Sequence, residues 1–185
     1  MRRVGAVTAI ALCLVLLGTG SAFAEERVCR GTIGARTVDN LRVPQGATCT
    51  LNGTFVKGTI RVQRAATLMA VDVRVIGNVQ GQNAENVVVR AGSRVGGSVQ
   101  VVQGERARVA TSRVDGDILF DENDGRVSVV SSQIDEDVQA FQNTGGVTIR
   151  DNRIDGNLQC KANSPPPTGG GNVVQDNKED QCKGL

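Results

Sequence analysis

Acidic side chains recur at a fixed spacing in the second half of the sequence. Asp115, Asp135 and Asp155 lie 20 residues apart, and a second carboxylate follows two residues after each of the first two. Carboxylate oxygens clustered in this way are the ligands that calcium prefers in proteins. The pattern therefore predicts a calcium site, and calcium is the one candidate cofactor. Six carboxylates form the predicted site: Asp115, Asp117, Asp135, Glu136, Asp137 and Asp155.

The same acids also have a purely structural interpretation. Asp, Asn and Gly are favoured in turns because short polar side chains bond the local backbone and tolerate unusual torsions. Arg113 and Arg153 each lie two residues before an acid of the row, whereas Gln133 stands at that place before Asp135. Like charges stacked in neighbouring strands repel each other. We therefore expect arginine to neutralise most of the row, and Asp135, Glu136 and Asp137 to be left short of positive charge.

Composition excludes several kinds of catalysis. The chain contains no His, Trp or Tyr and only four Phe. Chemistry that depends on imidazole, including Ser–His–Asp hydrolysis and histidine metal sites, is therefore excluded. The sequence assigns no catalytic residue, and it favours a non-catalytic protein.

The first 24 residues have the composition of a secretory signal peptide. Arg2 and Arg3 precede an apolar stretch, and Ala22-Phe23-Ala24 has the small-x-small pattern of a signal peptidase site. We expect the mature chain to begin at Glu25, to be secreted or periplasmic and to keep no membrane anchor. Removing the two arginines from the 21 basic residues leaves 19, which equals the 19 acidic residues. A nucleic-acid partner is not expected, because such binding needs a concentrated basic surface.

A motif of about 20 residues repeats through the rest of the chain. The segments VIGNVQ (75–80) and IDGNLQ (154–159) share the pattern apolar-x-Gly-polar-apolar-Gln. One column of apolar residues recurs at intervals of 19 or 20: Leu41, Ile60, Val79, Val99, Ile118, Val138 and Leu158. A second column keeps a spacing of 20 throughout: Cys49, Met69, Val89, Val109, Val129 and Ile149.

Short strands separated by turns and stacked on identical coils are typical of a parallel β-helix. The predicted fold is all-β, a right-handed parallel β-helix of about seven coils with about 20 residues per coil. The right-handed form is favoured because the apolar residues within a coil do not recur every six residues. The expected organisation is an N-terminal cap and first coil over 25–46, β-helix coils over 47–160 and a C-terminal capping segment over 161–185.

Four cysteines follow the predicted signal peptide. An even number in an exported chain indicates two disulfides, although sequence alone leaves three connectivities open. Cys49 begins one predicted interior column and Cys160 ends another. We therefore predict bonds from Cys29 to Cys49 and from Cys160 to Cys182. Each bond would tie a terminal segment over one open end of the rod.

The repeated apolar-x-Gly-polar-apolar segments over 41–160 resemble the right-handed β-helix superfamily of pectate lyases, and the short coils also resemble bactofilins. The first resemblance implies a calcium-dependent polysaccharide lyase, with Arg113 or Arg153 as base. The second implies a polymer-forming scaffold. The short loops match no lyase motif residue by residue, and the signal peptide and capping disulfides depart from bactofilins.

Taken together, the residues favour an exported non-catalytic β-helix that acts as a structural or binding module at the cell surface or in the periplasm. Its expected partner is a surface polysaccharide, or another copy of the chain. The lyase and the scaffold are the two alternatives, because a fold alone does not define a function.

Overall fold

A computed structural model describes residues 26–185, and the signal peptide predicted at residues 1–24 lies outside them. The described chain contains 25 short strands. It has no helix that is long and apolar enough to cross a membrane. Every strand belongs to one of three parallel sheets, which we name A, B and C.

The bounds of the strands follow the order of the coils within each sheet. Sheet A contains β1 (Glu26–Val28), β4 (Asn40–Val43), β7 (Ile60–Val62), β10 (Val79–Gln82), β13 (Val99–Val102), β16 (Ile118–Asp121), β19 (Val138–Phe141), β22 (Leu158–Lys161) and β25 (Lys178–Asp180). Sheet B contains β2 (Gly31–Ile33), β5 (Thr48–Asn52), β8 (Thr67–Val71), β11 (Asn86–Arg90), β14 (Arg106–Ala110), β17 (Val127–Val130), β20 (Val147–Arg150) and β23 (Thr168–Gly170). Sheet C contains β3 (Thr37–Val38), β6 (Phe55–Val56), β9 (Arg74–Val75), β12 (Arg94–Val95), β15 (Arg113–Val114), β18 (Gln133–Ile134), β21 (Arg153–Ile154) and β24 (Val173–Val174).

Each strand from β1 to β22 pairs with the strand three places later in the chain, so the backbone winds as a parallel β-solenoid. The solenoid has about 20 residues per turn, as predicted, and about eight turns rather than seven. The additional turn comes from the segment 161–185, which adds β23, β24 and β25 to the three sheets. The right-handed sense of the winding stays a prediction.

Stacked apolar side chains fill the interior of the solenoid. In sheet A, Val79 pairs with Val99 and Ile118 with Val138, and all four are at most 1% exposed. Val, Ile and Leu favour this arrangement because branched side chains pack well against the same residue in the next coil. The first predicted column, from Leu41 to Leu158, is confirmed.

The second predicted column is wrong at its start. Cys49 pairs with Leu68, whereas Met69 pairs with Thr50 on the outer face of sheet B. The coil between them has 19 residues, and a shift of one residue moves every side chain of a strand to the opposite face. Two interior columns therefore run through sheet B. The first contains Cys49, Leu68, Val87, Ala107, Val127 and Val147, and the second contains Leu51, Ala70, Val89, Val109, Val129 and Ile149.

A ladder of buried asparagines closes the corner between sheets A and B. Asn143 Nδ2 donates to the backbone oxygen of Phe120 at 3.0 Å and to Asn163 Oδ1 at 2.9 Å. Asn143 Oδ1 in turn accepts the backbone N–H of Asn123 at 3.1 Å. Gln181 ends the ladder, because its Oε1 accepts the N–H of Asn163 at 2.8 Å. The buried amides are thus hydrogen-bonded from coil to coil, as burial of polar groups requires.

Both predicted disulfides are confirmed. Cys29 and Cys49 join the first two coils, with their Cα atoms 5.6 Å apart. Cys160 and Cys182 join the last coils, with their Cα atoms 5.3 Å apart. The two ends of the solenoid are therefore cross-linked covalently.

Candidate functional site

The first of the predicted acids, Asp115, lies on the outer face of sheet C between two arginines. Its carboxylate accepts hydrogen bonds from Arg94 Nη2 and from Arg113 Nε, each at 2.9 Å. Burial of the carboxyl raises its pKa, but the two guanidinium groups outweigh that effect and hold the pKa of Asp115 below its ordinary value. The hydrogen bond to Asp115 likewise raises the pKa of Arg113.

The expectation that Asp135 lacks a positive partner is wrong. Arg113 reaches across to the next coil and forms an ion pair with Asp135, and Gln133 Nε2 donates to the same carboxylate at 3.3 Å. The long guanidinium side chain can bridge two stacked carboxylates because neighbouring coils are only about 4.8 Å apart. Asp155 also has a partner, since its Oδ1 lies 3.1 Å from Arg153 Nη2 without the geometry of a hydrogen bond.

Asp117 and Asp137 bond the backbone at the corner between sheets C and A. Asp117 Oδ1 accepts the N–H of Asp137 at 3.2 Å, and Asp137 Oδ1 accepts the N–H of Asn157 at 2.7 Å. The same corner carries Asn78, whose Oδ1 accepts the N–H of Ser98 at 2.8 Å. Short polar side chains of different charge therefore do the same structural task in successive coils.

Glu136 is exposed between these two sets of acids. The six predicted ligands are thus divided among arginines, backbone amides and solvent. Over residues 26–185, no three acidic or cysteine side chains come together in an arrangement that could hold a metal ion. The calcium site stays a prediction, with a test given in the Discussion.

A groove lies on the outer face of sheet A, and sequence reasoning missed it. This groove has a volume of about 690 Å³. We call it the glutamine groove, because amide side chains make up most of its lining. It is lined by Gln45, Arg61, Val62, Gln63, Arg64, Gln80, Gly81, Gln82, Asn83, Gln100 and Val102.

Parallel pairing places these amides side by side. Gln80 and Gln100 are Cα partners in neighbouring coils, and Gln80 Nε2 lies 3.5 Å from Gln100 Oε1. Gln63 Oε1 accepts the backbone N–H of Gln45 at 3.3 Å. The groove therefore presents rows of amides whose remaining donors and acceptors face solvent.

The amide ladder on this face occurs in two separate pieces. Gln139 Nε2 donates to Gln159 Oε1 at 3.1 Å, which repeats the contact of Gln80 with Gln100. Leu119 interrupts the column between the two pairs. Only the first pair lines the glutamine groove.

Comparison with known proteins identifies no relatives. No protein-family model matches the chain, and neither a curated protein nor a solved structure matches it. The molecule is a parallel β-solenoid, and no relative supports its resemblance to pectate lyases or to bactofilins. Its function must therefore be argued from its surfaces.

Proposed function

We propose that this protein is an exported, non-catalytic rod that acts as a binding module at the cell surface or in the periplasm. Its ligand is an extended neutral polysaccharide that lies in the glutamine groove. The two disulfides support a location outside the cytoplasm, because such bonds persist in oxidising compartments.

The amide rows of the groove are the observation that carries this proposal. A glutamine side chain offers two donors and an acceptor, so it can pair with hydroxyl groups that both donate and accept. Stacked coils repeat Gln80 and Gln100 at about 4.8 Å along the rod. A ligand that repeats hydroxyl groups along its own axis matches this arrangement better than a compact molecule does.

The composition of the groove favours binding over cleavage. Among its described lining residues there is no carboxylate, hydroxyl or thiol side chain. Glycoside cleavage generally needs a pair of carboxylates beside the scissile bond. Arg61 and Arg64 supply charged donors at one end of the groove, and the carboxylate that pairs with Arg61, Glu26, is not among the lining residues.

The proposal is tested by isothermal titration calorimetry with cellohexaose and chitohexaose as neutral probes. A double variant Gln80→Ala with Gln100→Ala should lower the affinity for the bound hexasaccharide about tenfold, because each lost hydrogen bond costs about 0.5–1.5 kcal/mol. The matched control is Gln139→Ala with Gln159→Ala, which removes an equivalent amide pair outside the groove.

The control should bind like the unmodified protein, and circular dichroism should show that both variants keep the fold. Two results would reject the groove as the site. One is that neither hexasaccharide binds the unmodified protein. The other is that both double variants lose the same affinity.

A further inference from the structure

The outer face of sheet B is basic, although the described chain as a whole is nearly neutral. No strand of this sheet contains Asp or Glu. Exposed arginines point outward from successive coils in the middle of the sheet. They are Arg90 in β11, Arg106 and Arg108 in β14, Arg126 directly before β17, and Arg150 in β20.

Two of these arginines, Arg106 and Arg150, are neutralised by acids. Arg106 Nη2 lies 2.7 Å from Glu85 Oε1, and Arg150 Nη1 lies 3.0 Å from Asp151 Oδ2. Within residues 26–185, the side chains of Arg90, Arg108 and Arg126 form no ion pair and no hydrogen bond. We call these three residues the arginine diagonal.

The strand register defines the geometry of the arginine diagonal. Arg90 is the Cα partner of Ala110, which lies two residues after Arg108. Arg108 is in turn the partner of Ser128, which lies two residues after Arg126. Each step therefore crosses one coil and two residues, which places successive Cα atoms about 8 Å apart. The three charges form a straight row that crosses the face obliquely.

Acids limit the width of this positive strip. Glu85 and Glu105 lie just before β11 and β14, and Asp124 lies just before Arg126. Asp72 and Asp151 follow β8 and β20 at the opposite edge of the sheet. A broad anionic surface such as a bilayer would meet these acids as well as the arginines, whereas a single linear polymer would not.

The chemistry of the face also separates one polymer from another. No aromatic residue occurs in any strand of sheet B, so the face lacks the stacking platforms that hold single-stranded nucleic acid. Guanidinium groups bind carboxylates in a two-pronged geometry that lysine cannot form. An extended polyuronate supplies one carboxylate on each sugar ring, so a chain laid along the diagonal presents carboxylates to all three arginines.

We infer that the arginine diagonal is a binding site for an acidic polysaccharide, which crosses sheet B obliquely and pairs its carboxylates with Arg90, Arg108 and Arg126. The site is separate from the glutamine groove, which lies on sheet A. Like charges in neighbouring coils repel each other, and a bound polyanion removes that repulsion. Binding should therefore depend strongly on salt concentration.

The experiment measures binding of polygalacturonate to the full chain by calorimetry at several salt concentrations. The methyl-esterified polymer, which has the same backbone without the charges, is the reference probe. The triple variant Arg90→Gln, Arg108→Gln and Arg126→Gln should lose at least tenfold in affinity for polygalacturonate. The slope of log affinity against log salt should become shallower by about two, because three contacts between arginine and an anionic group of the polymer are lost.

A matched control has the same change in net charge at another place. Arg27, Arg30 and Arg36 are exposed near the N-terminal end, and replacing all three by Gln should leave the affinity within twofold. The single variant Arg108→Gln, with an intermediate loss, serves as a second test if the triple variant does not fold. Binding of the neutral hexasaccharides should be unchanged in every arginine variant, which separates this site from the groove.

Three results would overturn the inference. The first is equal affinity for polygalacturonate and its esterified form. The second is an equal loss in the triple variant and in the N-terminal control. The third is stronger binding to phosphatidylglycerol vesicles or to single-stranded DNA than to polygalacturonate at the same concentration of charge.

Discussion

Sheets B and C are built from the same coils, and both present arginines to solvent, yet the arginines meet different partners. In sheet C, Arg94 and Arg113 share Asp115, and Arg113 also reaches Asp135. In sheet B, Arg90, Arg108 and Arg126 form no ion pair with any acid among residues 26–185. In sheet C an acid lies two residues after the arginine of the same coil, as Asp115 does after Arg113, so the two side chains point outward side by side. The charge of each face of the solenoid therefore depends on the outward-facing residues of that sheet and not on the overall composition of the chain.

Among the variants considered, removal of an acid from sheet C should change the free energy of unfolding most. Asp115→Ala leaves Arg94 and Arg113 without their shared carboxylate, so the free energy of unfolding should fall by about 1–2 kcal/mol. Urea denaturation measures this change. Glu105→Ala is the control, since Glu105 has no ion pair within residues 26–185, and it should cost less than about 0.5 kcal/mol. Equal effects of the two variants would contradict the importance of the sheet C pairs.

Adding an acid to sheet B should make it resemble sheet C. Ser128 is the Cα partner of Arg108, so Ser128→Glu places a carboxylate beside that guanidinium. Stability should rise by about 0.2–1 kcal/mol, the usual range for an opposite-charge pair across strands. Ser128→Gln, which has the same shape without the charge, should not produce this gain. If urea denaturation gives the two variants the same stability, the prediction that a carboxylate beside Arg108 stabilises the fold is wrong.

Acid should weaken the pairs of sheet C selectively. The pKa of Asp115 is held below 3.8 in the folded protein, so its stabilising contribution is present above that value and is lost as the pH falls through the lower folded pKa. The unmodified protein should therefore be more stable than Asp115→Asn at neutral pH, and the difference should disappear in strong acid. Arg108→Gln should show no comparable change with pH. Thermal unfolding from pH 7 to pH 2 gives both comparisons, and a constant difference for Asp115→Asn would be the contrary result.

Calcium should have the smallest effect, because arginines and backbone amides already occupy most of the predicted ligands. Calcium bound only to the folded state would raise the midpoint of thermal unfolding by mass action, and Asp137→Asn should remove that rise. The measurement compares midpoints with calcium and with a chelator. Identical midpoints would contradict the predicted calcium site at Asp115, Asp117, Asp135, Glu136, Asp137 and Asp155.

Much of the fold could be predicted because each coil repeats the same interior positions. The alternation in segments such as Val127-Ser128-Val129 shows which side chains face inward, and the 20-residue repeat brings them into columns. The prediction failed at Leu68-Met69-Ala70, where three apolar residues in a row hide the alternation. It also missed the last coil, because Thr168–Gly170 contains no large apolar residue.

Prediction of the surface sites needed more than the repeat. The pairing of arginines with the acid row could be anticipated from their constant separation in sequence. The reach of Arg113 to Asp135 could not, because it depends on the length of a side chain that spans two coils. The glutamine groove and the arginine diagonal depend on which of three faces each residue occupies. The shift of one residue between Cys49 and Leu68 concealed the faces only in the first strands of sheet B.

The asparagine ladder contributes one buried side chain per coil, so the length of the molecule follows from the number of coils. Asn123, Asn143 and Asn163 each bond only the coil before and the coil after, and every rung is 20 residues from the next. A duplicated stretch such as 124–143 would bring its own rung and its own three strands, so it could be inserted without altering its neighbours. The coils of the solenoid are in this sense interchangeable, and each added coil would lengthen the molecule by about 4.8 Å.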